Sequence, residues 1–235
     1  MTATSVLTVA SAGSTLFGAR KAAALYSASG TAPAIDVATD HGHLLHEQAR
    51  AGTLAADIVM LPSDMIDDLV AGGHALEAGR IALGSVNIGA AVRTGASLAD
   101  VSDRGALANA LLRATEIVLT LAPTGEHMMG VIANLDLLPD VESRIRRFDK
   151  SVQVNAYLAD VPAGALAFGP ATEILAWCDK GVAWCGPILE AFQVVLPYAA
   201  AILDASRNKA AAQTFLTFLA SPEARAAFAE TGVST

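Results

Sequence analysis

The chain is poor in charge, in aromatic rings and in cysteine, and each scarcity excludes something. Charged residues fill 16% of its 235 positions and aromatics 5%, while 53% are hydrophobic. So apolar a chain is no disordered or solvating polymer; it can build a sizeable core, mostly from alanine and small aliphatics. Lys and Arg number 15 against 23 Asp and Glu, for a formal net charge of −8. A field of that sign repels a polyphosphate backbone, which excludes broad nucleic-acid binding. A small anion is not excluded, because helix ends and histidines act locally. No stretch reaches the ~18 unbroken apolar residues of a membrane span, so no membrane insertion is expected. The opening, MTATSVLTVASAG, lacks the basic-then-apolar layout of a secretory signal. Two compartments stay open: cytoplasmic if Met1 is the native start, periplasmic or extracellular if a signal peptide has been removed. The two cysteines, Cys178 and Cys185, flank a turn in WCDKGVAWC. Two thiols make no metal site. A disulfide across the turn suits an exported chain; two buried thiols are the favoured alternative.

What is present alternates. Ser5 to Ala10 reads as a strand, and Gly13-Ser14-Thr15 opens an alanine-rich helix to about Tyr26. Ala34 to Ala38 is a second strand. Asp40-His41-Gly42 then starts a helix through Gln48 that Gly52 ends. Ala56 to Leu61 is a third strand, followed by a helix from Ser63-Asp64 to Gly72-Gly73. Alternation of this kind predicts an α/β fold with a mostly parallel sheet. Ile81 to Val92 is a long β-like run able to leave one sheet and enter another. Ser97 to Ala114 holds a helix, Glu116 to Leu121 is a strand, and Thr124-Gly125 starts a helix. Beyond a charged stretch, Glu142 to Lys150, strands are expected near Val152 to Asn155 and Ala165 to Phe168. Phe192 to Leu203 is a second run able to cross back. The last helices are Lys209 to Leu219 and Pro222 to Glu230, the latter capped by Ser221. Two crossing runs around a central block predict a discontinuous first lobe.

In open parallel sheets, ligands bind beyond the carboxyl ends of the strands, where the next helices begin. Three such turns carry small or polar residues: Ala12 to Thr15, Asp40 to His43, and Thr124 to His127. Helix starts offer unpaired N–H groups and a partial positive charge, so several converging make an anion site without lysine or arginine. Of five histidines, His41, His43 and His127 fall in these turns. Imidazole donates to a carboxylate or moves a proton near neutral pH. The bland alternative is that each caps or covers its helix. The three show no local metal-ligand spacing, and neither metal nor cofactor is expected. His46 and His74 read as surface residues, and Arg20-Lys21 and Arg144-Arg146-Arg147 as solvated faces.

These segments resemble a known family. IALGSVNIGAAVRTGAS is similar to the hinge-strand segment of the molybdate-binding proteins of ABC transporters. AADIVMLPSDMIDDLVAGG, FGPATEIL, FLTFLASPEARAAFAETG and the opening LTVASAGSTLFGARKAAALY fit the same pattern, in the same order, over nearly the whole chain. The resemblance implies the two-lobed type II periplasmic-binding-protein fold with two crossing hinge strands. The expected lobes are 1–82 with 195–235, and 83–194. It implies a small anion held in the cleft between them by serine hydroxyls and backbone N–H groups. By position Ser14 matches the first ligand serine, whereas the second falls in Asp40-His41-Gly42-His43, a departure. Phe168-Gly169-Pro170 stands where many relatives have a glutamine or tyrosine. Histidines with an apolar Phe168 wall suit an organic carboxylate better than molybdate.

The expected ligand contacts are Gly13, Ser14, Thr15, His41, Gly42, His43, Ser63, Thr124, Gly125, His127, Phe168 and Gly169. The resemblance extends to an enzyme, aconitate isomerase, which implies an alternative: cofactor-free isomerisation of a small unsaturated carboxylate. His41, His43 and His127 are the candidate proton-transfer groups. An ABC transporter permease is the implied partner if the chain is exported.

Overall fold

The computed structural model describes residues 6–28 and 33–234. The start of the first expected strand, Ser5, lies outside the described residues. The chain divides into two compact units, Met1–Val86 with Leu196–Thr235, and Asn87–Val195. It passes from the first to the second after Val86 and back after Val195.

In the first unit, strands β1 (Leu7–Ala12), β2 (Ile35–Asp40) and β3 (Ile58–Pro62) alternate with helices α1 (Gly13–Ala28), α2 (Gly42–Arg50) and α3 (Ser63–Ala71), and β4 (Ile81–Val86) follows. The return segment adds β10 (Leu196–Ile202), α9 (Lys209–Leu219), α10 (Pro222–Ala229) and the short β11 (Val233–Ser234). The sheet order is β11-β4-β10-β3-β1-β2. β1 runs parallel to β2 and β3, and β10 is antiparallel to β3 and β4. Central β3 is buried from Ile58 to Leu61, as a strand covered on both faces must be. α1 lies against α10 so closely that a Cβ on Gly18 would stand 2.3 Å from the Phe228 ring. Ser221 caps α10 by accepting the Ala224 N–H, as its sequence predicts.

In the second unit, β5 (Ile88–Arg93), α4 (Arg104–Arg113), β6 (Glu116–Thr120), α5 (Pro123–Asn134), the one-turn α6 (Leu138–Val141), β7 (Ile145–Phe148), α7 (Ser151–Asp160), β8 (Ala165–Pro170), α8 (Ala171–Leu175) and β9 (Val182–Pro187) follow in turn. The order is β7-β6-β8-β5-β9, with β7, β6 and β8 parallel and β5 antiparallel to both its neighbours. Apolar clusters cover this sheet, one around Leu119, Met128 and Phe168, another around Val118, Val154 and Leu158.

Four expectations are corrected here. Val152 to Asn155 is helix, not strand; the strand is Ile145–Phe148, inside the charged stretch Glu142 to Lys150 that precedes it. It is an edge strand, where arginines are tolerated because their side chains reach along or off the sheet. Nor are those arginines simply solvated. Arg144 donates to the carbonyls of Leu112 at 3.1 Å and Asp140 at 3.2 Å, and also meets that of Ala114. His46 is no free surface residue, since its Nε2 lies 2.8 Å from the Asp68 carboxylate with the ring 16% exposed. The cysteines are both free thiols, Cys178 exposed and Cys185 half-buried, rather than a buried pair.

Candidate functional site

The first unit gathers two of the three expected turns, together with the start of α3 at Ser63. β1, β2 and β3 are neighbours with Ala12 opposite Asp40 and Ser11 opposite Met60, so their carboxyl ends share one edge. α1, α2 and α3 begin there. The order follows from the sequence: each apolar run is broken by Gly, Ser or an Asp-His pair, which end the strand and open a helix. The start of α2 lies next to the ends of β1 and β3, since a Cβ on Gly42 would stand at ordinary contact, 3.8 Å, from Ala12, Leu61 and Pro62. The three starts therefore form one cluster. Each brings unpaired N–H groups and roughly +0.5 of a charge.

Not every polar side chain in the cluster is available. Thr15 is fully buried, and its hydroxyl lies 2.9 Å from the Ser11 hydroxyl and 3.3 Å from the Ala12 carbonyl. It holds the turn together. Ser14 is buried beside it. Asp40 accepts the His41 N–H at 2.8 Å and so fixes the approach to α2. His41 stands at the cap position of α2 but makes no side-chain cap bond. His41 and His43 are exposed, with ring centroids 5.6 Å apart. Helix capping therefore does not account for His41. Ser63 is half-buried at the first position of α3, after Pro62.

The second unit repeats the device. β6 lies between β7 and β8, with Thr120 opposite Phe148 and Glu116 opposite Ala165, so these carboxyl ends also share an edge. α5 begins there with Thr124 and Gly125, both buried. A Cβ on Gly125 would fall 1.9 Å from the Thr120 carbonyl oxygen, so only glycine fits. Thr124 and Thr120 hydroxyls are 3.4 Å apart. Arg147 donates to the Thr120 carbonyl at 3.1 Å and pairs with the Glu126 carboxylate, which offsets the acidic side chain at the start of α5.

His127 differs from the other two. Its Nε2 donates to the Phe192 carbonyl at 2.7 Å, a structural tie. Phe168 is packed in the core around Leu119 and Met128, with its ring out of solvent. Gly169 next to it has open space where a side chain would be. Sequence reading missed α6, α7 and α8, of which only α7 is longer than five residues. α7 begins at Ser151 beyond the end of β7, on the same edge as α5. The available signal was the capping spacing, with Gln153 accepting the Lys150 N–H at 3.0 Å.

Among the described residues, no three His, Cys, Asp or Glu come together as metal ligands, and no helix is long and apolar enough to cross a membrane.

Comparison with known proteins agrees with this architecture. The model of the family described as bacterial extracellular solute-binding protein matches residues 7–234. An aconitate isomerase from a Pseudomonas species is 28% identical over 240 residues, covering 97% of this chain and 87% of that protein. The periplasmic molybdate-binding protein of Azotobacter vinelandii superposes with a TM-score of 0.77 at 18% identity, over 97% of this chain and 99% of that one. A substrate-binding domain assigned to a molybdenum ABC transporter of Clostridium difficile gives 0.76 at 18% identity, over 98% and 100%. At such identities the likeness shows the fold alone: α/β and two-lobed, with two crossing strands.

Proposed function

The chain belongs to the bacterial extracellular solute-binding proteins, and on that premise we propose that it binds a small anion, an organic carboxylate or an oxyanion. The observation that carries this is the cluster of three helix starts in the first unit, beyond the carboxyl ends of β1, β2 and β3. N–H groups of α1, α2 and α3, with Ser14, Ser63, His41 and His43, are the proposed donors. Gly13, Thr15 and Gly42 shape the turns rather than supply side-chain bonds. Thr124, Gly125 and Gly169 of the second unit are proposed contacts by the same logic. Phe168 acts through the core behind them. Short neutral donors suit an anion because they need no desolvated counter-charge. The likeness to molybdate-binding proteins supports an anion in general, and an ABC transporter permease is the proposed partner.

A second reading rests on a specific observation. His41 and His43 form an exposed pair not used in capping, and the relative from Pseudomonas is an isomerase. Such a pair suits removal of a proton from one carbon of a bound carboxylate and its return at another. His127, tied to Phe192, is the weaker third candidate.

One experiment separates the readings. The purified protein is screened by thermal shift against molybdate, tungstate, sulfate and a panel of di- and tricarboxylates, and each hit is followed by NMR. Stabilisation without conversion is the expected result. Conversion of a carboxylate that is lost in both His41→Ala and His43→Ala would establish the enzyme. No stabilisation by any anion would overturn the anion reading.

A further inference from the structure

The second unit contains a cavity of about 500 Å³ that none of the helix starts lines. That is within the ~300–1,000 Å³ usual for small-molecule sites. Its walls set Val101, Ile188 and Leu189 beside polar side chains and include Asn87 and Val195, the first and last residues of the unit. One wall is held by Gln193, whose side chain imitates a strand neighbour. Its Oε1 accepts the Ile88 N–H at 2.9 Å, and its Nε2 donates to the carbonyls of Ile88 at 2.7 Å and Ile188 at 3.0 Å. The cavity is thus preformed rather than a gap between loose loops.

Its charge is one-sided. Asp100 and Glu190 line it, and no lysine, arginine or histidine does. The Ser102 hydroxyl and amide both donate to Asp100 Oδ1, at 2.6 and 3.0 Å. These bonds engage Oδ1 and hold the carboxyl below its usual range. We propose that this cavity is a second ligand site, for a small organic cation: an ammonium or amidinium group on an apolar body. Two exposed carboxylates beside apolar side chains such as Val101, Ile188 and Leu189 provide the two halves of that recognition. The proposal stands apart from the anion reading and shares no residue with it.

Cys185 lines the cavity and gives the readout. Burial pushes its thiol above the usual pKa, so it reacts slowly, while exposed Cys178 serves as an internal reference. The full chain is treated with N-ethylmaleimide at mildly alkaline pH, and modification of each cysteine is followed by mass spectrometry. Benzylammonium, butylammonium and benzamidinium are the probes; benzyl alcohol and benzoate are the controls. At a probe concentration of ten times Kd, the Cys185 rate should fall about tenfold with Cys178 unchanged. The double variant Asp100→Asn, Glu190→Gln should lose that protection. The proposal is overturned if no cationic probe protects at millimolar concentration. It is equally overturned if benzyl alcohol or benzoate protects as well as the cations, or if the double variant is protected like the wild type.

Discussion

Asp57 shows what a single buried carboxylate does in this chain. It stands just before β3, at the end of the sheet away from the helix starts. Its Oδ2 accepts the Thr8 N–H and hydroxyl, each at 3.0 Å, and its Oδ1 accepts the Ser206 hydroxyl at 2.7 Å and the Asn208 amide at 3.2 Å. Burial by itself raises its pKa; the bonds from Thr8, Ser206 and Asn208 outweigh that and hold it below the ordinary value. One side chain therefore ties β1 and β3 to the segment that leads into α9. Hydrogen bonds to a charged group are worth ~1.5–3 kcal/mol each, and donors left unpaired add to the loss. Asp57→Asn, which sets an amide against some of those donors, should cost about 2–3 kcal/mol near neutral pH. Because the native pKa is the lower one, this stability is complete above the unfolded value of ~3.9 and is lost as pH falls through the native value. Urea midpoints of wild type and variant at about pH 7 and about pH 3 check this. The gap between them should narrow in acid; a constant gap would mean that shape, not charge, is what Asp57 contributes.

At the scale of elements, two glycines separate what holds the fold from what meets a ligand. Gly125 starts α5 against the Thr120 carbonyl, and a methyl group there has no room. Gly125→Ala should destabilise the protein by about 1–3 kcal/mol through overpacking. Gly42 starts α2 with ordinary contact distances around the same added atom. Gly42→Ala should leave the melting temperature of the free protein within about 2 °C of wild type, yet weaken binding of whichever anion the thermal screen selects. Calorimetry with and without that anion reads both effects. If Gly42→Ala binds normally, the start of α2 is not where the anion sits.

The same elements show what was legible. α1, α2, α3 and α5 could be read because a Gly, Ser, Thr or Asp-His break follows an apolar run, and both crossing runs because Ile81 to Val92 and Phe192 to Leu203 are long and uncharged. β7 could not. Its Ile-Arg-Arg-Phe looks like a solvated loop, and only the sheet reveals that Arg146 meets Glu116 at 3.0 Å from an edge strand. α7 was hidden by Val152 and Val154, whose spacing mimics a strand, although Val154 and Leu158 are its true buried face. Losing β7 also lost Ser151 as a helix start. The ties on His127 and Thr15 depend on partners far along the chain or inside a turn, which no local pattern announces.

The whole molecule carries −8 formal charges, while the proposed donors in the first unit are N–H groups, hydroxyls and imidazoles rather than lysines or arginines. Helix-start charge acts within about a turn, whereas the summed field of the protein extends to the Debye length, ~10 Å at 0.1 M salt. An approaching anion therefore meets repulsion first and attraction only on arrival. Salt screens the first and barely touches the second. The association rate of a divalent anion should accordingly rise about two- to threefold between low and physiological ionic strength, with dissociation nearly unchanged. A lysine-lined site gives the opposite slope, because there salt screens the steering attraction. Stopped-flow fluorescence in sodium chloride reads the rate. A second series in the sodium salt of a bulky sulfonate separates screening from occupation of the site by chloride. A rate that falls with salt in both series would place a basic side chain at the entrance and remove the helix starts as principal donors.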